Sequence, residues 1–196
     1  MKVFKGILSW IIPIVVGLLI AELLRMFVLT VAKVDGPSME PNLINNERLL
    51  VFRHSKVKHL SVIVFDAHGV DPSATQPNTD YVKRVIGLPG DTVSSNDGNI
   101  YVNGKAINQK FISQKERTTG TGNWDLKSLS KSWSKNTGAV KVPKGEYFVL
   151  GDHRSVSNDG RYWGFVPKKK VVGVAKTLFF WQTDKTKRNN VNNLGY

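Results

Sequence analysis

At 196 residues the chain has room for one apolar segment and one domain of ordinary size, and two large domains would not fit. It has no cysteine, which excludes disulfides, thiolate metal sites and a cysteine nucleophile together. Its 28 Lys+Arg against 15 Asp+Glu give a formal charge of +13, which suits a polyanionic neighbour such as nucleic acid, anionic lipid or an acidic wall polymer without choosing among them.

Residues 1–31 are expected to form an N-terminal membrane anchor. The chain is uncharged from Gly6 to Ala21, and the apolar tract continues to Val31 with only Glu22 and Arg25 interrupting it. A spanning helix needs ~20 apolar residues, and charges spaced i, i+3 share a helix face, can pair and can snorkel toward one interface. The competing reading is a cleavable signal peptide ending at Thr30-Val31-Ala32, whose apolar region would be too long for one. Lys2 and Lys5 precede the tract while Lys33 and Arg48 follow it, so charge counting does not settle its orientation.

Residues 32–196 are expected to be a mainly β domain. The stretches at 47–53, 61–68, 81–87, 146–152 and 171–181, and those flanking the turn Asn96-Asp97-Gly98, are short, β-branched and aromatic, with Gly, Asn, Asp or Pro between them. Segments 69–80 and 118–138 read as loops, and 105–145 as a variable, loop-rich insertion.

Three stretches carry candidate chemistry. In "VDGPSMEPNL" (34–43), Gly36 permits unusual backbone angles and Pro37 fixes its own φ, so Ser38 sits at a bend where it could be a nucleophile; a plain turn after the apolar tract has the same composition. In "DYVKRVIGLPGD" (80–91), alternation places Tyr81, Lys83 and Val85 on one face and Val82, Arg84 and Ile86 on the other. A lysine held against apolar neighbours loses charge stabilisation and can become a general base, whereas an edge-strand lysine would only discourage aggregation. The third stretch, "VLGDHRSVSNDGRYWGFVP" (149–167), crowds serines, aspartates and arginines into one loop followed by aromatic bulk, as a buried polar network requires. The four histidines show no metal-ligand spacing, and no metal or organic cofactor is expected.

In this order behind an apolar N-terminus, these three stretches resemble those of the type I signal peptidases, in the short single-anchor form of Gram-positive bacteria. The resemblance implies a Ser-Lys dyad, with Ser38 as nucleophile and Lys83 as the base that takes its proton. By the same resemblance Ser157 would hydrogen-bond Lys83, Asp152, Asp159 and Arg161 would be charged supports with Arg84 as a partner, and Val34, Met39, Leu43, Tyr81 and Val82 would line the substrate pocket. Gly36 stands where members that use a side-chain hydroxyl in the oxyanion hole carry serine, so the Ser38 amide would carry much of that stabilisation. His153 replaces the usual Asn, and Val156 and Gly160 are further departures. The implied partners are preprotein signal peptides with small residues before the cut and the lipids of a bacterial cytoplasmic membrane, with the domain on its extracellular side. Anionic lipid or wall polymer would account for the basic charge, and nucleic acid would not be a partner. Two rivals remain at this point: a repressor-type Ser-Lys autoprotease, and an anchored basic module that only binds polymer or membrane.

Overall fold

The computed structural model describes residues 2–195, with side chains of the first helix described over 9–23 and at Phe27. That helix, α1, runs Lys2–Phe27 with Pro13 inside it. Eleven strands follow: β1 (Leu29–Lys33), β2 (Arg48–Phe52), β3 (Val62–Asp66), β4 (Asp80–Gly87), β5 (Val93–Asn96), β6 (Asn99–Val102), β7 (Lys105–Ala106), β8 (Trp124–Asp125), β9 (Glu146–Leu150), β10 (Phe165–Pro167) and β11 (Val171–Lys176). Three short helices lie between them, α2 (Gln114–Gly120), α3 (Leu126–Leu129) and α4 (Gly160–Trp163), and α5 (Lys185–Asn192) follows β11.

The strands form an antiparallel seven-stranded sheet in the order β1-β2-β11-β3-β4-β9-β10, and a four-stranded sheet in the order β7-β6-β5-β8. Strand β4 lies inside the large sheet between β3 and β9, with Lys83 opposite Ile63 and Arg84 opposite Leu150. The β5–β6 hairpin turns at Asp97 and Gly98, both at positive φ (48° and 76°), the combination a tight hairpin needs.

Alternation divides the interior. Ile63, Phe65, Val85, Val149, Val166 and Trp163 pack with Tyr81 on the face that carries Lys83. Met39, Leu43, Leu49, Val62 and Val64 pack together with Val82, and the Val191 side chain of α5 closes that cluster. The N-terminus of α5 is capped by Asp184, whose carboxylate accepts from the amides of Thr186 and Lys187.

Two local expectations need correction. The boundary at residue 31 falls inside a strand, because α1 ends at Phe27 and Leu29–Lys33 pairs with β2. Hydropathy runs on through Leu29 and Val31 because an edge strand of the sheet is apolar as well. Segment 118–138 holds the end of α2, all of β8 and all of α3, and Asp125 caps α3 through a capping box with Ser128. Its serines and lysines hide these elements, yet Leu126 and Trp133 enter the same core as Phe111, Ile112 and Phe148, so 105–145 is structural and not merely loop. Among the described residues no helix is long and apolar enough to cross a membrane. The span expected over 6–31 extends beyond the described side chains of α1, and the Arg25 side chain of the expected Glu22–Arg25 pair lies outside them.

Candidate active site

Ser38 follows Gly36, whose φ of +84° only glycine adopts without strain, and Pro37. The Gly36 amide donates to Asn45 Oδ1 at 3.1 Å, which fastens the bend to the start of the domain. The bend docks on the third stretch, where the His153 amide donates to the Ser38 carbonyl at 3.1 Å and the His153 ring nitrogen Nδ1 lies 3.2 Å from the Pro37 carbonyl. The histidine thus supports the backbone of the bend.

From the middle of β4, Lys83 Nζ reaches Ser38 Oγ at 2.9 Å and the Val82 carbonyl at 3.2 Å, and it lies 5.2 Å from the centre of the Tyr81 ring. Lys83 is only 4% exposed. Burial drives its pKa down to about 8, against the Asp159, Asp71 and Asp152 carboxylates, which push it up. A lysine with this pKa keeps a working fraction neutral near physiological pH, far more than an exposed lysine would, with its lone pair beside a hydroxyl.

Two ion pairs hold the third stretch. Asp152 receives a bidentate contact from Arg84 at 2.7–2.8 Å, both side chains being fully buried, and Arg84 also donates to the carbonyls of Leu60 and Asn190. Asp159 is gripped by Arg161 at 2.9 and 3.0 Å and accepts the Gly151 amide at 2.9 Å. Bidentate geometry with every remaining donor engaged is what makes buried ion pairs tolerable. The residues expected as supports therefore lie around Ser38 and Lys83, with Arg84 paired to Asp152.

Ser157 differs from expectation. Among the described residues its buried hydroxyl has no hydrogen-bond partner, and Lys83 donates to Ser38 and Val82 instead. The serine packs on Gly151, where no Cβ would fit, because it would also fall 2.5 Å from the Ser38 carbonyl oxygen. Gly160 has a similar reason: a Cβ there would meet the Val149 carbonyl oxygen at 2.8 Å. The Val156 side chain is exposed.

A cleft of about 190 Å³ opens over Ser38 and Lys83, lined by Val34, Met39, Tyr81 and Val82 together with Asp80 and Asn158. Four of the five expected pocket residues are thus in its wall. Leu43 is not; it is fully buried in the cluster behind Met39. Sequence reasoning missed Asn42, which donates to both Asp152 and the Phe111 carbonyl at 2.8 Å, as well as Gly151 and the buried Asp71. The one signal for Gly151 is its place at the end of a strand, ahead of an aspartate.

A serine hydroxyl paired with a buried lysine at the mouth of a cleft is the equipment of a Ser-Lys hydrolase, and the comparisons say which one. The family model described as "Signal peptidase, peptidase S26" matches residues 7–181. The chain belongs to this signal peptidase family. It is 33% identical over 181 residues to signal peptidase I of Bacillus licheniformis, covering 90% of each chain, and 36% identical over 194 residues to signal peptidase IB of Staphylococcus aureus strain COL, covering 94% of this chain and 95% of that one. The crystal structure of a signal peptidase I from Enterococcus faecalis V583 is 33% identical and aligns with a TM-score of 0.51 over 61% of this chain and 97% of that one. A signal peptidase is a serine endopeptidase that removes signal peptides from preproteins. This sets aside both the repressor-type autoprotease and the module that only binds.

Proposed function

We propose that Ser38 and Lys83 form the catalytic dyad of this signal peptidase, and that the enzyme works from a single-pass anchor on the outer face of a bacterial cytoplasmic membrane. The observation that carries the dyad is the 2.9 Å contact between Lys83 Nζ and Ser38 Oγ at a lysine whose pKa is held near 8. Neutral Lys83 takes the Ser38 proton as Oγ attacks the scissile carbonyl, and the Ser38 amide stabilises the oxyanion. The ammonium then returns its proton to the leaving amine, giving an acyl-enzyme. Lys83 next deprotonates a water that attacks the ester and returns that proton to Ser38, releasing the new carboxylate. The experiment is cleavage of a preprotein in trans by the wild type, Ser38→Ala and Lys83→Ala, and activity in either folded variant would overturn the dyad.

The anchor reading rests on α1. Its described side chains from Ser9 to Leu23 are all exposed, with Trp10, Ile14, Leu18 and Leu19 among the most open. A helix whose described side chains are mostly apolar and all exposed suits lipid. Detergent-free fractionation with protease protection tests both the anchoring and the side.

Anionic lipid is the proposed partner of the basic surface. Arg53, His54, Lys56 and Lys168 line one shallow cleft, and the Arg53 amide donates to the Val28 carbonyl just past the end of α1. Of the lysines at 168–170, Lys170 is tied to Asp66 at 2.7 Å and leaves the other two to act outward. Neutralising Arg53 and Lys168 should weaken binding to anionic vesicles and not to zwitterionic ones.

A further inference from the structure

Three carboxylates act on Lys83, and they are not equivalent. Asp152 is matched by Arg84 and Asp159 by Arg161, each through two hydrogen bonds. Asp71 is matched by no cation at salt-bridge distance among the described residues, although it is only 2% exposed. Its carboxylate instead accepts from three neutral donors, the Tyr81 hydroxyl at 2.9 Å, the Asn158 side-chain amide at 2.7 Å and the Ser73 backbone amide at 2.9 Å.

We infer that Asp71 is a positioning residue of the active site, which ties two walls of the substrate cleft to one point and, of the three carboxylates that act on Lys83, supplies the one that no cation matches among the described residues. Tyr81 and Asn158 come from β4 and from the third stretch, and both line the cleft that holds Ser38 and Lys83. The Tyr81 ring packs edge-on against Phe65 and lies beside the Lys83 ammonium position, so holding its hydroxyl fixes the surface on which the lysine rests. Burial and the bond to Asp71 push the Tyr81 phenol up to about 12, which keeps it a donor throughout the working range.

The loop is built to hold the aspartate. The Asp71 amide donates to the Ala67 carbonyl at 3.0 Å, its side chain closes a turn on Ser73, and Ala74 buries itself in the cluster that includes Phe65 and Trp163. A buried carboxylate without a cation is costly, and the cost is offset when Lys83 becomes an ammonium on taking the Ser38 proton. The groups facing Lys83 are then Asp71 from this loop, Asp152 and Asp159 from the third stretch, Tyr81 from its own strand and Ser38, while β3 presents the apolar Ile63.

The proposal rests on Lys83 being the base, and its test separates the two. The pH profile of kcat/KM for preprotein cleavage is measured on the full-length enzyme and on Asp71→Asn, Tyr81→Phe and the double variant. Removing the charge lowers the lysine pKa, so the rising limb in Asp71→Asn should move to lower pH by about 0.5 units, the scale of one charge several ångströms away. Tyr81→Phe keeps the charge, so its limb should stay in place while KM rises. The double variant removes the carboxylate charge and the hydroxyl that donates to it, so it remains informative if Asp71→Asn does not fold, and its limb should also move down. An Asp71 variant that folds with reduced activity and an unmoved or raised limb would overturn the proposal and leave the aspartate a purely structural residue. A wild-type profile with no rising limb near pH 8 would overturn the dyad and this inference with it.

Discussion

Gly151 lies against Ser157 so closely that a Cβ on the glycine would overlap the serine side chain and stand 2.5 Å from the Ser38 carbonyl oxygen. The two obstacles differ in kind, because a serine side chain can rotate and the backbone of the nucleophile bend cannot move without taking Oγ with it. Gly151→Ala should therefore displace Ser38 from Lys83 while the sheets stay folded. A misplacement near 1 Å costs on the order of a hundredfold, and kcat should fall by about that factor with a far-UV spectrum like the wild type. Near-normal kcat would mean that the bend yields freely.

The dyad sets the pH dependence of cleavage. Lys83 is active when neutral and its pKa is about 8, so kcat/KM should rise with pH through that value and level off above it. A limb centred near ~6.5 that disappears in His153→Ala would give the role to histidine. The backbone contacts of His153 argue against that outcome.

The same shift predicts a stability cost. Between pH 8 and 10.5 the unfolded chain holds the Lys83 proton that the folded chain has released, so stability should rise with pH across that window. Below pH 8 both states are protonated and the folded state bears the full burial penalty. Lys83→Met should be inactive and yet more stable at pH 7, by up to about 3 kcal/mol. Urea titrations at pH 7 and pH 10 measure this, and a stabilisation equal at both pH values would refute the linkage.

Ser157 carries a buried hydroxyl without a partner among the described residues, so its removal should take away no hydrogen bond of the free enzyme. Ser157→Ala should keep or slightly raise the melting temperature. If the hydroxyl turns to Lys83 only once the lysine is protonated, kcat should fall roughly three- to tenfold with KM unchanged, the worth of one such bond. An unchanged kcat would leave Ser157 as filler against Gly151.

Specificity should come from exclusion. Met39, completely buried, and Val34, 3% exposed, close the cleft floor beside Ser38. A preprotein with Ala before the cut should be cleaved well and its Leu counterpart hardly at all, while Met39→Ala should narrow that difference. Equal cleavage of both substrates by the wild type would show that these residues do not form the pocket.

What could be read directly from the chain was whatever is local. Period-two alternation separated the face of Lys83 from that of Arg84, Gly-Pro marked the bend at Ser38, and the density of charge at 149–167 marked a polar network. Those signals depend only on neighbours a few residues away. The tertiary structure alone decided who meets whom: Ser38 and Lys83 are 45 residues apart, Arg84 and Asp152 are 68 apart, and Asn42 reaches Asp152 across 110. Such pairings follow from strand order, which the burial of apolar faces selects over the whole domain, and no short window records it. The same limit explains Asp71. In the sequence it is a turn aspartate before a proline, and it becomes part of the site only because the fold brings Tyr81 and Asn158 to its two sides.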